Sequence, residues 1–265
     1  MTIKDWPYPF WIAHRGAGRL APENTLAAFR LGLAHGFRMF ECDAQLSADG
    51  VVVLMHDQTL ERTTNGRGDV SNARWEDLAS LDAGIWHGAD FRGERVPTLE
   101  EVARFCQANG ACLNIEIKAA IESSPEQEAQ VAREVARQVQ ALWRGHDKAP
   151  AGPTGPTGPT ATTLPLLTSF SVSAVREVQR VAPELPRGLL LEDLNGDWQS
   201  KAQQLGCQVL VFDYRLLDQA LVAAVQAMGV RCLAYTVNDL SAMMTLKAAG
   251  IDGLITDEMT APSLV

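Results

Sequence analysis

At 265 residues, with 46% hydrophobic and 21% charged residues, the chain has the composition of a globular protein with a large core. A net charge of −9 excludes a general binder of nucleic acid or anionic membrane, although an anion can still be held by local positive charge. No stretch approaches the ~20 apolar residues of a membrane span, and the N-terminal MTIKDWPYPFWIAHRG lacks the regions of a secretory leader.

Short runs rich in Val, Ile and Leu alternate with segments of helical period. The expected strands lie near 10–14, 38–43, 112–118, 165–170, 187–192, 208–213, 231–237 and 252–257. Segments such as NTLAAFRLGLAH, TLEEVARFCQA and EQEAQVAREVARQVQALW separate them. Eight strand–helix units in a chain of this length predict an α/β fold, a (β/α)8 TIM barrel. The competing reading is an open doubly wound sheet. That fold announces itself by a Gly-rich turn after the first strand, and GAG at 16–18 has no G-x-G-x-x-G.

Two segments stand outside the repeat. VVVLMHD at 51–57 follows an ADG turn and reads as a hairpin partner of the second strand. Residues about 57–97 then form an insertion between the second and third β/α units. APAGPTGPTGPT at 149–160 has too few triplets for a triple helix and reads as an exposed Pro/Gly linker, about 149–163. The whole chain, 1–265, is expected to be one domain. The five cysteines (Cys42, Cys106, Cys112, Cys207, Cys232) are odd in number and form no CxxC pair. They suit free thiols and, with the absent leader, an expected cytoplasmic location without membrane partners.

In a barrel the active site lies at the C-terminal ends of the strands. The first strand ends in His14-Arg15, the second in Glu41-Cys42-Asp43, the hairpin strand in His56-Asp57, and the third in Glu116-Ile117-Lys118. Side chains alternate along a strand, so Glu41 and Asp43 share one face, as do Glu116 and Lys118. Taken singly, each has a bland reading as a solvated carboxylate, a hydrogen-bonded imidazole or a salt-bridge partner. Together, three carboxylates need positive charge among them. Their hard oxygens favour Mg²⁺ or Ca²⁺ over Zn²⁺. With that metal, Arg15 and Lys118, the site carries a small positive charge suited to a phosphodiester. His14 and His56, with ordinary pKa values near ~6.5, can serve as acid and base.

The ordered set resembles the glycerophosphodiester phosphodiesterase family. It comprises HRG at 14–16, PENT at 22–25, ECD at 41–43, HD at 56–57, NG at 65–66, LDAG at 81–84 and PTLEEV at 97–102. EIK at 116–118, TVN at 236–238 and ITD at 255–257 complete it. APELPRGLLL resembles the small cytoplasmic bacterial members. The resemblance implies a TIM barrel that hydrolyses glycerophosphodiesters to sn-glycerol 3-phosphate and an alcohol. It implies a divalent cation on Glu41, Asp43 and Glu116, acid–base roles for His14 and His56, and Arg15 and Lys118 on the phosphate. Tyr235 stands where many members carry Trp. Asp213 and Asp257 read as structural, His35 as a helix-end residue, and His87 and His146 as solvated. Glu61-Arg62-Thr63-Thr64 reads as a loop brace. Two alternatives are a lipid-directed enzyme of the phospholipase D toxin type and a non-catalytic barrel binding phosphorylated metabolites. Loss of a histidine or carboxylate would mark the latter, and none is missing.

Overall fold

The alternation of apolar runs and helical segments closes into a barrel. The computed structural model describes residues 6–118, 123–144 and 163–264. The Gly-Pro-Thr stretch and His146 lie outside the described residues. The strands are β1 Trp11–Ala13, β2 Met39–Leu46, β3 Val52–Leu54, β4 Cys112–Ile117 and β5 Leu166–Ser169. They continue with β6 Arg187–Leu191, β7 Val209–Asp213, β8 Arg231–Tyr235 and β9 Gly253–Thr256. All but β3 pair in parallel around the ring, and β1 closes it by pairing with both β9 and β2. This is the expected (β/α)8 arrangement. β3 pairs antiparallel with β2, as the hairpin reading requires.

Period-2 alternation sorts each strand. Ile12, Met39, Cys112, Leu166, Leu190, Val209, Leu233 and Ile255, one from each of the eight barrel strands, belong to one apolar cluster that fills the barrel interior. Phe40, Cys42, Leu113, Ile115 and Ile117 alternate with such residues and pack outward against the helices. The helices are α1 Leu26–Ala34, α2 Trp75–Leu78, α3 Leu99–Ala108, α4 Pro125–Trp143 and α5 Val172–Val181. α6 Trp198–Gln204, α7 Gln219–Ala227, α8 Leu240–Ala248 and α9 Ala261–Leu264 follow. Thr25, Thr98, Ser124, Ser171, Asp197, Asp218 and Asp239 cap their helices through the side chain, each contributing about 1 kcal/mol. These starts follow the strand ends, so the positive ends of the dipoles lie toward the mouth of the barrel.

The insertion has an apolar cluster of its own, built on Met55, Leu60, Val70, Leu78, Ala83 and Val96. The Asp82 carboxylate accepts from the N–H groups of Gly84, Ile85 and Gly93, each at 2.9 Å. That clasp folds the insertion back toward the β1–α1 loop. His87 Nε2 donates there to the Arg19 carbonyl at 3.0 Å, and its ring meets Trp86 and Phe91 edge-on. The reading of His87 as merely solvated is thus corrected, because the insertion docks on a loop remote in sequence.

Candidate active site

Met39, Glu41 and Asp43 lie on the inward face of β2, with Met39 in the apolar floor and the two carboxylates above it. Cys112, Asn114 and Glu116 repeat the pattern on β4, and Lys118 follows. The β2–β4 register sets Glu41 opposite Asn114 and Asp43 opposite Glu116. Glu41, Asp43 and Glu116 each offer an oxygen within 4.8 Å of the others. His14, Arg15, His56 and Lys118 line the same cavity of about 170 Å³, together with Phe170 and Tyr235. Every candidate residue read from the sequence therefore meets at one place.

The electrostatics show a cluster short of positive charge. Burial drives the Glu41 carboxyl well above the usual range, and Asp43 and Glu116 add to it. Burial and the Asp43 charge push Glu116 up to about 7. Burial also acts on Asp43, but Arg15, Lys118, His56 and the Asn24 hydrogen bond outweigh it and hold Asp43 at about 2. Lys118 Nζ stands 2.8 Å from Glu116 and 3.6 Å from Asp43. Arg15 donates its backbone N–H to Glu41 at 3.1 Å and its Nη1 to Glu23 at 2.8 Å, with Nε 3.4 Å from Asp43. Three buried polar atoms of the site have no hydrogen-bond partner among the described residues: Arg15 Nε, Asp43 Oδ1 and Asn114 Nδ2. An acceptor-only oxygen left open between two carboxyls driven toward protonation is what a hard divalent cation would satisfy, so the donor set fits one.

Each histidine is held by a carboxylate through Nδ1. His56 Nδ1 lies 2.8 Å from Asp57 Oδ1, and Arg62 braces Asp57 while also bonding Glu23. This is the brace expected of residues 61–64. Burial lowers the His56 pKa below its ordinary value, Asp43 opposes the shift, and Arg15 and Lys118 add to it. His14 Nδ1 lies 2.7 Å from Asp257 Oδ1, with Nε2 3.9 Å from Glu41. Asp257 is held in turn by Asn238, whose Nδ2 donates to Oδ2 at 2.7 Å and whose Oδ1 accepts the Asp257 N–H at 2.8 Å.

The structural reading of Asp257 from sequence is therefore incomplete: the residue touches His14. Nothing in the sequence joins them, since they are 243 positions apart. Barrel closure pairs Ala13 with Thr256 and so sets the next residue of each strand side by side. Asn114 is a further residue of the site that its sequence position alone does not single out. What signal it has is its place two before Glu116 on the same face; it lines the cavity, and Thr168 Oγ1 donates to its Oδ1 at 2.9 Å. Asp213 is as expected, paired with Arg215 outside the cavity. Tyr235, which stands where many family members carry Trp, packs edge-on against Phe170 at 5.9 Å and forms an apolar wall.

Comparison with known proteins gives a consistent picture. Residues 14–261 match the model of the glycerophosphoryl diester phosphodiesterase family. A glycerophosphodiester phosphodiesterase of Caldanaerobacter subterraneus is 33% identical over 248 residues, 93% of each chain. One from Bacillus subtilis is 29% identical over 259 residues, 93% of this chain and 82% of the other. Among solved structures, an Oleispira antarctica phosphodiesterase in complex with the product sn-glycerol-3-phosphate superposes with a TM-score of 0.82. It is 30% identical over 97% of this chain and 96% of that one. The Agrobacterium tumefaciens glycerophosphodiester phosphodiesterase gives 0.76 at 26% identity, over 96% and 99%. With matched sequence over nearly its whole length and a barrel of the same build, the chain belongs to the glycerophosphoryl diester phosphodiesterase family.

Proposed function

We propose that the protein hydrolyses glycerophosphodiesters to sn-glycerol 3-phosphate and an alcohol, with His14 and His56 as general acid and base. One observation carries the reading. Two carboxylates, two cations and two carboxylate-held imidazoles line one small cavity at the C-terminal end of the barrel, with the buried Asp43 carboxylate grouped beside Glu41 and Glu116. The product held by the Oleispira relative supports the substrate class. Glu41, Asp43 and Glu116 would hold a divalent cation, Mg²⁺ or Ca²⁺, which when bound supplies charge neutralisation at the phosphate oxygens. The barrel and its insertion act as one catalytic domain. All five cysteines are free and buried, which supports a cytoplasmic setting.

The chain's own groups divide the remaining work. Arg15 and Lys118 bind the phosphate oxygens and gain strength as negative charge builds in the transition state. One histidine takes the proton of the glycerol hydroxyl next to the ester oxygen. The deprotonated hydroxyl oxygen forms a bond to phosphorus as the bond from phosphorus to the leaving alcohol's oxygen breaks, and the second histidine gives that departing oxygen a proton. Water then opens the cyclic phosphate with the roles exchanged. The tethered hydroxyl favours this route, since well-oriented internal groups reach effective molarities of ~10⁵ M or more. The test is incubation with glycerophosphocholine, with Mg²⁺ or Ca²⁺ and with EDTA, followed by enzymatic assay of glycerol 3-phosphate. Metal-dependent release is expected. No release with either metal would refute the assignment.

A further inference from the structure

We propose that a second cavity, beside the phosphate site and lined by Trp86, receives the leaving alcohol of the diester and favours alcohols that carry an anion. This rests on the proposed hydrolysis and extends it to the choice of substrate. The cavity measures about 330 Å³ and is lined by Arg19, Glu23, Arg62, Trp86, His87 and Asp257, among others. Of the residues lining the 170 Å³ catalytic cavity, it shares His14 and Arg15 alone. A phosphodiester has two arms, and in a displacement the attacking and leaving oxygens stand on opposite sides of phosphorus. Two cavities meeting at a catalytic histidine and a phosphate-binding arginine give each arm its own place. The first holds the carboxylates and the Phe170–Tyr235 wall, and suits the glycerol. The second is left for the leaving alcohol.

The charges in the second cavity indicate which alcohol fits. Three guanidiniums (Arg15, Arg19, Arg62) face two carboxylates (Glu23, Asp257). Both carboxylates are already bonded, Glu23 to Arg15 and Arg62, Asp257 to His14 and Asn238. Arg62 bridges Glu23 and Asp57. Arg19 is different: its side chain is 73% exposed, its nearest carboxylate oxygen is 3.9 Å away on Asp257, and its guanidinium makes no hydrogen bond among the described residues. It is a cation open to a ligand. Trp86 has its indole N–H tied to the Ala83 carbonyl at 2.9 Å, which fixes the ring as an apolar wall for the methylene part of the alcohol. A carboxylate on the alcohol would meet Arg19. A cationic head group would meet the Arg19 guanidinium, which is only loosely paired with Asp257 at 3.9 Å, and carboxylates already engaged by hydrogen bonds.

Glycerophosphoserine and glycerophosphoethanolamine form a matched pair, differing by one carboxylate. Their dissociation constants are to be measured by calorimetry on the His56→Ala protein with Mg²⁺ present, with Arg19 intact and with Arg19→Gln or Arg19→Glu. With Arg19 intact, the serine diester should bind about fivefold more tightly, the size of an exposed charge pair. Arg19→Gln should bring the ratio near one, and Arg19→Glu should invert it. Arg19 is exposed, so melting temperatures should not change. Tighter binding of the ethanolamine diester to the Arg19 protein, or a ratio untouched by charge reversal, would overturn the proposal. Failure of wild-type protein to hydrolyse either diester would instead refute the proposed function, and the binding ratios would still decide the subsite.

Discussion

Replacing Asp257 by Asn separates the two jobs of that carboxylate, because the new side chain has the same shape and cannot sit both ways. Asn238 accepts the residue-257 backbone N–H on Oδ1, so its Nδ2 must donate to residue 257. The amide oxygen of the new asparagine must therefore face Asn238, and its NH₂ must face His14 Nδ1. A ring nitrogen that donated to a carboxylate now has to accept. The neutral ring is forced into the other tautomer, with its proton on the nitrogen nearest Glu41. The lost charge-assisted hydrogen bond, about 2–3 kcal/mol, alone amounts to roughly 30- to 150-fold at 1.4 kcal/mol per factor of ten. The wrong tautomer adds to it, as it does in hydrolytic triads. We expect kcat to fall at least ~10²-fold, with a smaller change in KM and a melting temperature close to that of the parent. The assay is a coupled reading of glycerol 3-phosphate release against pH. A kcat within fivefold of wild type would refute the reasoning, and so would an equal loss accompanied by unfolding.

Four further outcomes follow from the same geometry. His14→Ala and His56→Ala should each lower kcat at least ~10²-fold with little change in stability, measured by turnover and thermal melting. Glu41→Gln, Asp43→Asn and Glu116→Gln should each weaken both activity and its response to added Mg²⁺ or Ca²⁺, and full turnover in chelator-treated protein would sink the metal assignment. Glu177 of α5 bonds Arg180 of its own helix and Arg133 of α4, and these hydrogen bonds hold its carboxyl at about 2. A depressed carboxyl stabilises the fold above the unfolded value of about 4.3 and loses that contribution as pH falls toward about 2. Discounted for solvent screening, Glu177→Gln should cost about 1 kcal/mol at pH 7, with the gap closing in acid, and a pH-independent gap in denaturant melts would contradict this. The 2-deoxy analogue of glycerophosphocholine should bind but turn over at least ~10²-fold more slowly, whereas hydrolysis at the normal rate would leave direct attack by water.

What was legible in the sequence was what repeats along one strand. β2 and β4 declare themselves because polar and apolar residues alternate with period two, so Glu41, Asp43, Glu116 and Lys118 could be assigned a face before any fold was known. The eight barrel strands were visible as apolar runs because both faces of each are covered. The helix α6 carries its face toward the core on Trp198 and Ala202. Contacts made by barrel closure or by the folded-back insertion were invisible. The pairs His14–Asp257 and His87–Arg19 depend on which chain ends meet, and no local pattern encodes that.

The turn after β1 shows how the site is held ready. Among the described residues, the non-glycine residues with positive φ are Arg15 at 51° and Asn24 at 60°. Each costs roughly 1–2 kcal/mol in that conformation. Both are bonded to the carboxylate cluster and to each other. The Arg15 carbonyl accepts the Asn24 N–H at 2.9 Å. Asn24 donates Nδ2 to Asp43 at 2.8 Å and accepts the Asp43 N–H at 3.2 Å. Arg15 reaches Glu41 with its backbone and Glu23 with its side chain. The left-handed turn reverses the chain directly after the strand, which lets one residue contact two carboxylates from opposite ends. Gly18, at φ 52°, keeps the turn close: a Cβ there would sit 2.4 Å from the Asp257 backbone. The strain is offset by the hydrogen bonds that fix Arg15 in place; in the proposed reaction its guanidinium would then meet the developing phosphate charge without having to reorganise.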